Sequence, residues 1–198
     1  MAKSKLIKLT ESKHFVFYGL RLSAKADLQV RKCENAYKRI IETMQLNETD
    51  KTSKITYNFL ESKDNVKKIT GHNTFGRADT YHSVVDSAYA YHPHEIAHVI
   101  VSNHYLLKQN KPTHKVFSEG QAVYNGWRKR GQIIWHNKSL QYWIKFFKKQ
   151  SILPNLKELF NNFSSLEQKI SYPVSANFVK FILEPYGVAK FKDIYQSI

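Results

Sequence analysis

One pentapeptide constrains this 198-residue chain more than any other feature: His94-Glu95-Ile96-Ala97-His98, directly after Pro93. Histidines four apart share one face of an α-helix, a turn above each other, so both imidazoles can converge on one ion. Proline suits the first helical turn, so the helix is expected to open at Pro93. The surrounding Ile96, Val99, Ile100 and Val101 predict that this helix is buried. Two imidazoles and a carboxylate there would be costly without a partner. Zinc is such a partner: it takes neutral imidazole nitrogen at about 2.0–2.1 Å and prefers four ligands. Glu95 is turned about 100° from His94 around the helix. It is therefore expected not to ligate but to act as general base on a zinc-bound water in the open fourth position.

A third ligand is needed, and Glu119 is the candidate. It is the only acid between residues 96 and 157 and falls on the next expected helix. Gly120 and Ala122 are small, as Ala97 is on the first helix, and small faces are expected to let helix backbones approach closely. Two histidines and a glutamate with one open position make a hydrolytic zinc site, with one Zn2+ per chain. His104, ten residues after His94, points about 280° around the helix and so faces elsewhere. His72, His82, His92 and His114 read as surface or hydrogen-bonding residues.

The rest of the pattern predicts an α+β fold. Strands are expected at 14–18, 54–60 and near Tyr81–Val85, with Gly71 and Gly76 as turn signals before the last. Residues 24–46 place Leu28, Cys33, Ala36, Ile40, Ile41 and Met44 on one helical face. After the zinc helix come a polar loop over 108–115 and a helix over 116–131 closed by Gly131. Further helices are expected near 138–149, 154–161, 173–184 and 187–196. The organisation expected is a poorly ordered segment 1–13 and a single catalytic domain 14–198. Its lobes would span approximately 14–110 and 111–198, with the active-site cleft between them. The single cysteine, Cys33, excludes an internal disulfide. No run approaches the roughly 18–20 apolar residues of a membrane span, and the N-terminus lacks the apolar core of a signal peptide. As written, the chain reads as soluble and unexported.

His94–His98 followed by Ser118-Glu119-Gly120-Gln121-Ala122-Val123-Tyr124 resembles the gluzincin metallopeptidases, and within them the peptidase MA-like domains related to thermolysin and the zinc aminopeptidases. The resemblance implies a zincin-like fold: an N-terminal mixed sheet with the zinc helix, and a C-terminal helical lobe. It also implies that Glu119 ligates from an E-G-x-A motif. Tyr172–Gly187 resembles the segment in which the aminopeptidase relatives carry an oxyanion-binding tyrosine, which assigns that role to Tyr172. Two departures stand out. Asp79 and Asp86 form no recognisable amine-binding motif, so exopeptidase action is not supported. Val123 stands where thermolysin-like enzymes have an aspartate that orients a zinc histidine.

Charge supplies the competing expectation. Lysine and arginine number 31 against 16 acids, a net charge of +15, with 15 bases and only 5 acids in residues 100–198. Such a surface attracts anions. An alternative is therefore a basic nucleic-acid- or anionic-surface-binding module with a structural or vestigial zinc site. Arg128-Lys129-Arg130 and the lysines beside Trp143, Phe146 and Phe147 favour it. The absence of a recognisable DNA- or RNA-binding signature argues against nucleic acid. The leading expectation is thus a zinc metallopeptidase acting on peptide or protein substrates, with the surplus charge suited to acidic ones.

Overall fold

Phe15, Phe17 and Gly19 are buried while Val16 and Tyr18 between them are half-buried, the two-residue period of a strand covered mainly on one face. In the computed structural model this is β2 (Phe15–Gly19). The structure describes residues 6–21, 26–47, 53–105, 113–129 and 131–197. It is mixed α/β and divides into two compact units, Met1–His104 and Tyr105–Ile198.

In the first unit, β1 (Ile7–Glu11), β2, β3 (Ile55–Phe59), β4 (Gly76–Asp79) and β5 (Val84–Ser87) form a sheet in the order β1-β2-β3-β5-β4. The β2–β3 and β3–β5 pairs are parallel, and the outer β1–β2 and β4–β5 pairs are antiparallel. Parallel neighbours need crossovers; α1 (Ala26–Thr43) lies between β2 and β3, and α2 (Lys63–Thr70) between β3 and β5. The core gathers Phe15, Phe17, Cys33, Tyr37, Ile40, Ile55 and Tyr57, all at most 1% exposed.

Four expectations change here. Ile7–Glu11 belongs to the sheet although it lies in the segment expected to be poorly ordered: it pairs with β2, and Glu11 bridges Lys8 and Lys54. Leu28 points outward from α1, and Gln29 is buried instead. Gly71 caps α2, a helix the sequence pattern did not disclose, with the positive φ of 80° that glycine tolerates; Ser62 caps the other end by accepting from the Asn65 amide. The strand expected at Tyr81–Val85 runs instead from Val84 to Ser87 and is interior, between β3 and β4. Among the described residues the sheet ends at β4.

In the second unit, α4 (Lys115–Gly126) stops short of the expected Gly131. Three short strands follow: β6 (Arg128–Lys129), β7 (Gln132–Trp135) and β8 (Lys138–Ser139). Ile133 and Trp135 are buried and Ile134 is half-buried, and its amide donates to the Trp127 carbonyl, so this stretch pairs as a strand. Gly131 has a φ of 80° and lies between β6 and β7. Then come α5 (Leu140–Lys149), α6 (Leu156–Asn161) and α7 (Gln168–Ser197), the last broken at Gly187, whose φ of 80° and ψ of 172° are not helical. Val116, Phe147, Leu159, Phe163, Ile170 and Val174 form one core cluster of this unit.

No helix is long and apolar enough to cross a membrane among the described residues.

Candidate metal centre

α3 (Pro93–Tyr105) opens where the sequence predicts, and the His92 carbonyl accepts from the Ile96 amide at its first turn. Ile96, Ala97, Val99, Ile100 and Val101 are all 0% exposed, so the helix is held by apolar contact on several faces. His94 is buried at 6% exposure. The Nε2 atoms of His94 and His98 lie 3.2 Å apart, with their rings nearly perpendicular at 88°. Glu119, on α4, is half-buried. One ligand atom from each of His94, His98 and Glu119 lies within 4.8 Å of the others, and this is the one such group of three among the described residues.

The donor chemistry suits a metal ion. Two nitrogens bound tetrahedrally at 2.0–2.1 Å are about 3.3 Å apart, close to the observed 3.2 Å. A carboxylate completes the set.

Glu95 is buried at 9% exposure, and its carboxylate lies 3.9 Å from His92 Nε2. The other ring nitrogen of His92 is 3.1 Å from Ser87 Oγ, which also accepts from the Tyr89 amide. Tyr57 donates its hydroxyl to the Tyr89 carbonyl, joining β3 to the same network. Burial, with His94 and His98 nearby, pushes His92 down to about 3, so its ring is neutral at ordinary pH. On the strand side, Gly76 leaves room that any side chain would fill: a β-carbon there would meet the His92 ring and Glu95 Cγ.

From the sequence, His92 reads as a surface or hydrogen-bonding residue and Gly76 as a turn signal, and neither reading foresees this support for Glu95. The hydrogen bond to Ser87 fits the first reading, but Gly76 lies inside β4. A histidine two positions before the motif was visible, yet nothing local in sequence pairs it with Ser87 or residue 76.

Three other histidines have partners close in sequence. His82 Nδ1 lies 3.0 Å from Asp79, His104 Nδ1 lies 2.8 Å from the Ile100 carbonyl, and His114 caps α4 through the Val116 amide. Asp86 is buried and accepts from Asn58, and burial holds its carboxyl above the usual range.

A β-carbon on Gly120 would fall 2.7 Å from both the Ser175 carbonyl oxygen and Val179 Cγ2, so its smallness serves the approach of α7 to α4. Tyr172, near the start of α7, packs its ring against Trp135 at 5.4 Å and Phe163 at 6.0 Å. Val123 is fully buried.

No family model matches the chain, and no curated protein matches its sequence.

Proposed function

We propose that this chain is a zinc-dependent metallopeptidase of gluzincin type and zincin-like fold, with His94, His98 and Glu119 holding the metal and Glu95 as general base. The observation that carries this reading is the convergence of three ligand atoms within 4.8 Å, beside a buried glutamate one residue after the first ligand. Bound zinc would supply Lewis acidity, polarising a peptide carbonyl and lowering the pKa of a water. Glu95 takes the proton of the attacking water and passes it to the leaving amine. The neutral His92 ring, anchored at Ser87, limits where the Glu95 carboxylate can turn. Tyr172 is given the oxyanion by resemblance; a phenol donating there acts on charge that appears only in the transition state. The terminal strand β4 offers an edge to which an extended peptide can add.

Metal analysis paired with digestion of a proteome-derived peptide library tests this reading. About one zinc per chain is expected, with cleavage by the wild type. Glu95→Gln should keep the metal and lose cleavage. A chain that holds no zinc, or a Glu95→Gln variant that cleaves at the wild-type rate, overturns it.

A further inference from the structure

Helix α5 carries two stripes, and the core uses one. Leu140 and Phe147 are buried, and Trp143 and Ile144 between them pack against the second unit's core cluster. These positions run i, i+3, i+4, i+7, one complete helical face. Tyr142, Lys145, Phe146 and Lys149 repeat the same spacing on another face, and all four are exposed. Tyr142 and Phe146 stack on each other at 8° and remain 43% and 39% exposed, with the Lys138 ammonium 5.1 Å from the Tyr142 ring centroid. Beyond the end of α5, Ile152, Leu153 and Leu156 are also exposed, at 44%, 37% and 55%. Residues 138–157 hold five lysines, at 138, 145, 148, 149 and 157, and no carboxylate.

We propose that this face docks on the surface of an anionic lipid bilayer. Aromatic rings and aliphatic side chains flanked by lysines are the composition of a surface that settles into the headgroup boundary. There the apolar groups enter the acyl edge and the ammonium groups reach lipid phosphates. Nucleic acid would reward the lysines and the two rings but gains nothing from Ile152, Leu153 and Leu156, which have no π-face to stack on a base. The inference does not rest on the peptidase reading, since none of these residues belongs to the metal centre.

Vesicle flotation of the full chain tests it, with phosphatidylcholine alone and with 7:3 phosphatidylcholine:phosphatidylglycerol. Binding is expected on the anionic vesicles, weakening as salt rises, and not on the neutral ones. Lys145→Glu/Lys149→Glu should reduce partition by about tenfold or more, each lysine near the surface being worth roughly fivefold. Tyr142→Ser/Phe146→Ser should weaken it in low and high salt alike. These side chains are exposed, so unchanged thermal melts will confirm that both variants fold. Equal binding to neutral vesicles, no binding to either, or variants that bind as the wild type does overturn the proposal. So does release from the vesicles by duplex DNA at equimolar phosphate, which would make the face a nucleic-acid site. Self-association of the wild type that Tyr142→Ser/Phe146→Ser abolishes would instead give it to a second copy of the chain.

Discussion

A β-carbon on Gly76 would stand 2.1 Å from Nδ1 of His92, closer than any two such atoms can come. The same atom would lie 3.0 Å from Glu95 Cγ. Strand β4 can therefore pass the start of α3 at this distance only because residue 76 has no side chain. Gly76→Ala should destabilise the protein by about 1–3 kcal/mol, the usual range for overfilling a packed site. His92→Ala in the same chain should remove much of that loss. A double-mutant cycle by denaturant unfolding measures the coupling, and strictly additive effects would contradict the contact.

His92 should also impose a pH dependence. Unfolded, it takes up a proton near 6.5; folded, only near 3, chiefly because it is buried. Between those values the unfolded chain binds the extra proton, so stability falls as pH falls through the window. Above about pH 7 the ring is neutral in both states and contributes nothing. Compared with His92→Gln, chelator-treated wild type should lose about 2 kcal/mol more between pH 7 and pH 5. Parallel urea titrations at the two pH values read the difference directly.

Metal binding should appear as stability. Zinc at a hundredfold excess over its dissociation constant adds about 2.7 kcal/mol, which for a chain of this length raises the melting temperature by roughly 5–11 °C. The chelated protein should recover that rise when zinc is restored, and His94→Ala should not respond. A wild type whose melt is indifferent to zinc would remove the basis for a metal centre.

Gly120→Val should disturb the second unit. The clash is with a backbone oxygen, Ser175 O, which cannot rotate aside as a side-chain end can. A loss of about 1–3 kcal/mol is expected, read from chemical denaturation, with Gly120→Ala showing the smaller effect.

Cys33 should be silent to thiol reagents in the native protein. It is 0% exposed, and burial, with Glu34 adding to it, raises its thiol well above the usual range. The thiolate is the reactive form. Reaction with Ellman's reagent should therefore wait for unfolding, and rapid native labelling would show that α1 opens.

What the sequence disclosed divides along a physical line. Periodic features were legible: the buried faces of α1 and α3, the strand at β2, the four-residue histidine spacing and the lone acid at 119. Each of these depends on residues within one element or on what surrounds them in the chain. What escaped depends on pairing across the fold. α2 is only eight residues and has one buried side chain, Val66, so its caps rather than its pattern define it. The strands β6 to β8 are two to four residues long, too short to show alternation beside a preceding helix. Gly76 and Gly120 both looked like local punctuation or generic smallness; what each accommodates is fixed by His92 and by Ser175, respectively, and only tertiary structure names them.

The short outer strand β4 has a consequence of its own. An unpaired strand edge is a template for any extended chain, including another copy of the same protein. Here that edge is four residues long, and Arg77 and Asp79 lie 3.6 Å apart on it. At the opposite margin of the sheet, β1 carries Lys8 and Glu11. Both margins are thus guarded by charge, and neither offers the long neutral apolar run from which fibrils grow. Replacing Arg77 and Asp79 with valine would remove that charge, and with it the contact of Asp79 with His82, turning a sheet that stops into one that can propagate.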